Sequence, residues 1–169
     1  MIVLKTSHPE AISTAQNVIN YNGLIVFPTD TVYGLASSAF DPIGIEKIYW
    51  AKNRPPIKSI PVLIGSIGQL NQIAAVISPL ASRLIDHFWP GPLTIIVFKR
   101  HSLPPNLSSD RTVGVRMPNH KFTIDLLNTT GPLATTSANQ SGQADSLTAK
   151  DAKNQIGDKN GVQKQTAHF

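Results

Sequence analysis

Between Gly23 and Leu35 the chain reads Gly-Leu-Ile-Val-Phe-Pro-Thr-Asp-Thr-Val-Tyr-Gly-Leu. Leu24 to Phe27 is an unbroken apolar run of strand length, so it suits a strand covered on both faces. Pro28 cannot donate to a ladder and ends it. The turn that follows brings three hydroxyls (Thr29, Thr31, Tyr33) and one carboxylate (Asp30) to the carboxyl end of a core strand, where α/β sheets place ligand contacts. An ordinary polar turn has the same composition, and both readings stand at this point.

The rest of the chain alternates helical and strand-like segments around this stretch. Ser7-His-Pro-Glu10 has capping-box spacing and predicts a helix carrying Ile12, Ala15 and Ile19 on one face, stopped by Asn22-Gly23. Asp41-Pro42 predicts a second helix with Ile45, Ile48 and Tyr49 inward, ending near Lys52 before Arg54-Pro55-Pro56. Ile60 to Ile64 reads as a strand. Ser66 to Gln69 repeats the capping-box spacing ahead of a short helix reaching about Ala75. Ser78-Pro79 opens a longer helix, with Leu80, Leu84, Ile85 and Phe88 apolar, that Trp89-Pro-Gly-Pro92 breaks. Leu93 to Phe98 and Val113 to Arg116 read as strands, separated by a loop with a mobile tip. His120 to Leu127 is weakly helical, Pro132 to Thr136 strand-like, and Thr148 caps a last helix to about Ile156. The pattern is that of an α/β or α+β domain built on one twisted sheet.

A chain of 169 residues, 41% hydrophobic, supports one domain with a substantial core. No apolar run reaches membrane-spanning length and no export signal is visible, so a cytoplasmic protein without membrane association is expected. The absence of cysteine excludes disulfides, thiolate ligands and a thiol nucleophile. Lys and Arg number 15 against 10 Asp and Glu. Between Lys47 and Lys121 the only acids are Asp86 and Asp110, a field that favours anionic partners or simply solubility.

Lys52-Asn-Arg54-Pro-Pro-Ile-Lys58 places three cations at a helix end beside a stiff proline pair. That pattern suits polyphosphate, and it equally suits the helix dipole. Ser137-Ala-Asn139-Gln-Ser141-Gly142 offers hydroxyls and an amide with little bulk. Arg116 closes a strand, ready for a carboxylate or phosphate or merely exposed. There is no P-loop, GxGxxG, GxSxG or metal-ligand spacing among the five histidines.

Taken together, Phe27-Pro-Thr-Asp-Thr-Val-Tyr-Gly-Leu35, Lys52-x-Arg54-Pro55, Pro61-Val-Leu63, Trp89-Pro-Gly-Pro-Leu-Thr94, Val115-Arg-Met-Pro118 and Thr136-Ser-Ala-Asn-Gln-Ser-Gly142 resemble the YrdC-like family of threonylcarbamoyl-AMP synthases, in family order. The resemblance covers about residues 8 to 150. It implies a single twisted mixed sheet flanked by helices, with a large basic concave cleft. It implies a reaction of ATP, L-threonine and bicarbonate, with Mg2+ carried on the ATP phosphates, feeding the threonylcarbamoyl transferase machinery that modifies tRNA. The family pattern places Lys52, Arg54 and Lys58 against the nucleotide phosphates, Lys52 and Arg54 as catalytic residues, with Thr112, Ser137, Asn139 and Ser146 completing the nucleotide site. Thr31, Arg116 and Ser137 would meet threonine, while Thr29 and Tyr33 shape the pocket. No metal ligand is implied. The rival is a YrdC-like paralogue that binds tRNA, other RNA or a nucleotide without this synthase activity.

Two departures stand out. Relatives often carry Asp-Asn-Pro-Leu and a later histidine where this chain has Ile57-Lys58-Ser59-Ile60 and Leu63. They also usually follow the last helix with a Ser-Thr-Val-type strand, whereas here a domain over 1–156 is expected to give way to a polar tail over 157–169.

Overall fold

A computed structural model of the chain describes residues 2–53, 55, 58–157 and 166–169. Nine strands form one mixed sheet. In chain order they are β1 (Ile2–Val3), β2 (Leu24–Phe27), β3 (Gly34–Ser38), β4 (Val62–Leu63), β5 (Ala74–Val76), β6 (Ile95–Lys99), β7 (Thr112–Arg116), β8 (Leu133–Ser137) and β9 (Thr166–His168). Across the sheet they lie β1-β9-β2-β3-β8-β4-β7-β6-β5. Among the described residues six α-helices accompany them, α1 (Ala11–Asn20), α2 (Pro42–Lys52), α3 (Ile67–Ile73), α4 (Pro79–Phe88), α5 (Lys121–Thr130) and α6 (Ala149–Ile156).

β2 behaves as its composition requires. Leu24 and Val26 enter a core shared with α2, α3, α4 and α6, while Ile25 and Phe27 enter a second core with α1 and α5. The sheet is therefore covered on both faces at β2. Over β6 and β5 the α1/α5 face is open: Ile96, Phe98 and Val76 are exposed there.

Proline and side-chain caps start the helices where expected in three cases. Asp41 accepts from the amides of Ile43 and Gly44, Ser78 from Ala81, and Thr148 forms a reciprocal capping box with Asp151. The two other boxes do not form. The His8 ring takes the Glu10 amide at 3.2 Å, and α1 begins at Ala11 without a side-chain cap. Gln69 is diverted to the Gly65 amide and the Leu127 carbonyl.

One strand was not foreseen and three further expectations are corrected. Gly34 to Ser38 is a strand, although its small residues carry little β-propensity. α3 stops at Ile73, because Ala74 to Val76 pair with β6 instead. Leu80 and Phe88 of α4 are exposed, leaving Ile85 as its buried residue. The segment after β6 is anchored: Leu103 and Leu107 are buried, and the Leu107 carbonyl accepts from the Ile60 amide at 2.9 Å.

The segment read as a polar tail also carries structure. β9 runs parallel to both β1 and β2 and fills the gap between them, with Ala167, His168 and Phe169 buried. Backbone pairing inserts it: the Leu4 amide donates to His168 O at 2.9 Å and the Phe169 amide to Val26 O at 2.8 Å.

Candidate functional site

The β2–β3 turn folds over the α1/α5 face of the sheet and encloses a hollow of about 290 Å³. Thr29, Thr31, Val32 and Tyr33 come from the turn and Gly34 from β3. Ser59, Pro61 and Leu63 come from β4 and its approach, Thr94 from the approach to β6, Arg116 from β7, and Thr135 to Ser137 from β8. Gly34 sits where a Cβ would lie 2.9 Å from Thr135 Cγ2, so the floor admits no side chain there without a shift. Hydroxyl groups dominate the lining, and Arg116 is its one cation among the described residues.

Thr29 gives the turn its shape. Its hydroxyl donates to Val32 O at 2.7 Å and accepts from the amides of Thr31 and Val32, a side-chain turn that fixes the backbone. The Thr29 and Thr31 hydroxyls lie 3.1 Å apart. Arg116 then spans the hollow. Its Nη1 donates to Thr31 Oγ1 at 3.1 Å, its Nε to Gly91 O at 3.0 Å, and its Nη2 forms an ion pair with Asp30 Oδ1. Sequence reading placed Asp30 in the turn without assigning it a contact; the guanidinium is that contact.

Lys52, Asn139 and Ser146 form a separate cluster at the end of β8. Lys52 comes from α2 on the opposite face, is 2% exposed, and directs its ammonium to Ser137 O, Asn139 O at 2.6 Å and Asn139 Oδ1 at 3.1 Å. Asn139 in turn donates to Gln143 O at 2.6 Å. Ser146, fully buried, donates to Ala138 O at 2.7 Å, while its own carbonyl accepts from the Tyr33 amide. Ser137 joins the two regions: its side of β8 lines the hollow and its carbonyl receives Lys52.

The other sequence-selected residues lie apart. Thr112 is half-buried at the opposite end of β7 from Arg116 and does not line the hollow. Lys58 is exposed, its carbonyl accepting from Tyr49 Oη at 3.0 Å. Arg54 lies outside the described residues. One residue that sequence reading passed over ties the cluster down: Gln155 of α6 accepts from the Gln140 amide at 3.0 Å and donates to Ala144 O at 3.0 Å. An exposed-looking glutamine in a short polar helix gives no sign of this in sequence.

No group of three or more His, Asp or Glu side chains is placed to hold a metal ion among the described residues. None of the described helices is long and apolar enough to cross a membrane.

A family profile named for Sua5, YciO and YrdC, and described as "Telomere recombination", matches residues 17–163. A relative from Mycobacterium tuberculosis H37Rv is 38% identical over 148 residues, 87% of this chain and 68% of its own length. The Bacillus subtilis protein named threonylcarbamoyl-AMP synthase is 38% identical over 143 residues, 83% of this chain but 41% of its own length. The solved structure of Pyrococcus abyssi Sua5 complexed with L-threonine superposes with a TM-score of 0.88 at 31% identity, covering 99% of this chain and 48% of that one. Escherichia coli YciO shares the fold, with a TM-score of 0.79 at 24% identity. The chain thus spans less than half of the Bacillus and Pyrococcus proteins, and the part it spans is matched almost throughout. With its sheet, its hydroxyl-lined hollow and its ordered motifs, the chain belongs to the Sua5/YciO/YrdC family.

Proposed function

We propose that this chain forms threonylcarbamoyl-AMP from L-threonine, bicarbonate and ATP, releasing pyrophosphate, for the modification of tRNA. The observation that carries this reading is a hollow lined by hydroxyls around one fixed guanidinium, in a chain 38% identical to a Bacillus protein named for that activity. The threonine amine and bicarbonate condense with loss of water to N-carboxythreonine; its carbamate oxygen then attacks the α-phosphorus of ATP, the bond to the bridging oxygen breaks, and pyrophosphate leaves with the electron pair. Positioning and positive charge supply most of what such a step needs.

Arg116 would face the threonine carboxylate, with Thr31 and Ser137 beside it and Thr29 and Tyr33 shaping the pocket. Arg54 and Lys58 would meet the phosphates, supply the positive wall of the cleft and, with Thr112, lead the nucleotide over the open face of the sheet. Lys52 and Asn139 would act from within the β8 loop, their charge and amide holding Ser137 in place for the nucleotide, and Ser146 would anchor the same loop. Mg2+ would arrive with ATP, on its phosphates.

The test incubates the protein with ATP, L-threonine and bicarbonate and measures pyrophosphate, omitting each reactant in turn. Release that depends on all three is expected; threonine-independent release, or none, overturns the reading. RNA held without chemistry would give none. Arg54→Ala is expected to abolish release while leaving the circular dichroism spectrum unchanged.

A further inference from the structure

Arg116 is held by two separate segments of chain, the β2–β3 turn and the loop before β6. Besides its bonds to Thr31 and Asp30, its Nε reaches the carbonyl of Gly91 in the Trp89-Pro-Gly-Pro92 loop. That loop is itself fixed: the Gly91 amide donates to Met117 O at 2.8 Å, and Trp89 Nε1 donates to Leu93 O at 2.7 Å. A guanidinium has five N–H donors, two on each terminal nitrogen. Among the described residues the three bonds leave one N–H on Nη1 and one on Nη2. Two such donors are the complement of a carboxylate.

Asp30 differs from its neighbours in the turn. Thr29, Thr31 and Val32 line the hollow and Asp30 does not, yet its side chain is only 15% exposed because it lies against Arg116. The acid thus grips the arginine from outside the space a ligand would fill.

We propose that Asp30 is a positioning residue, whose carboxylate sets the plane of the Arg116 guanidinium so that its two remaining N–H groups receive the carboxylate of the amino-acid substrate. The inference rests on the function proposed above. A guanidinium fixed before the ligand arrives loses little freedom on binding, whereas one released from Asp30 must be ordered by the ligand itself. Asp30 also balances the arginine charge, so the empty hollow does not retain an arbitrary anion.

The full chain is compared with Asp30→Ala and Asp30→Asn. Asn keeps an acceptor oxygen and loses the charge; Ala loses both. In the pyrophosphate assay the KM for L-threonine is expected to rise about tenfold for Ala and less for Asn, with the KM for ATP unchanged. Calorimetric titration with L-threonine alone should follow the same order. An L-threonine KM that is unchanged or lower in Asp30→Ala overturns the proposal, because Asp30 would then ignore the ligand or compete with it. A further measurement does not require turnover: the Arg116 Nη2–H signals in nitrogen-edited NMR should exchange slowly in the unsubstituted protein and rapidly in Asp30→Ala. Equal exchange in both overturns the proposal even if the chain proves to make no pyrophosphate, and unequal exchange supports it in that event. Should Asp30→Ala fail to fold, Asp30→Asn decides by the same readings.

Discussion

Arg116 reaches the hollow from the end of β7 with one N–H on each terminal nitrogen still available among the described residues, whereas Lys52 comes from α2 on the opposite face and presses its ammonium into three oxygens of the β8 loop. The burial of the two side chains differs only modestly, 13% exposed for the Arg116 side chain against 2% for the Lys52 residue. What separates them is the geometry of the cation. A compact ammonium with three donors can be satisfied by three oxygens, and in a dry site it has to be. A planar guanidinium can anchor through part of its fork and still offer the rest. In sequence the two look alike, as cations near hydroxyl-rich motifs. The fold turns the Lys52 ammonium into the oxygens of the β8 loop and brings the Arg116 guanidinium to the wall of the hollow.

The contrast breaks most readily at Lys52. Lys52→Met removes the ammonium and strands its oxygen partners without a donor, so unfolding free energy should fall by about 3 kcal/mol, read from urea denaturation. Arg116→Ala should cost about 1 kcal/mol in the same measurement while lowering threonine-dependent pyrophosphate release about 100-fold. Equal destabilisation by the two substitutions would erase the distinction.

His168 sharpens the same rule, since it is a buried nitrogen base without a hydrogen-bond partner among the described residues. It is 3% exposed, and burial, aided by the positive charge of Lys153, pushes its pKa from 6.5 down to about 4. Below pH 6.5 the unfolded chain takes up a proton that the folded chain refuses, so this contribution to stability is whole above pH 6.5 and is lost as the pH falls toward 4. Denaturation midpoints followed from pH 7 to pH 4.5 should fall less steeply in His168→Leu. At the small end, Lys121 pairs with Asp125 one helical turn away with its side chain 88% exposed, and Lys121→Ala should change stability by less than about 0.5 kcal/mol.

Much of this arrangement could be read from residue order. The two-faced burial of β2, the Asp41-Pro42 and Ser78-Pro79 helix starts and the Thr148 cap are local, and local chemistry decides them. Thr29, Thr31, Tyr33, Arg116 and Ser137 line one hollow. What sequence did not reveal depends on distant partners. β3 is a strand because β2 and β8 lie on either side of it, and α3 gives way at Ala74 because β6 is there to pair with. Lys52 is buried because the carbonyls of a loop 85 residues away accept it. No window around these residues contains the group that decides their state.

The insertion of β9 between β1 and β2 sets an order of assembly. Among the described residues β1 has β9 as its sole strand neighbour, so the amino-terminal strand cannot join the sheet until residues 166–168 have emerged from the ribosome. Until then β2, buried at all four positions, keeps one backbone edge unpaired, and a nascent chain stalled before residue 166 exposes that edge to any other extended chain within reach.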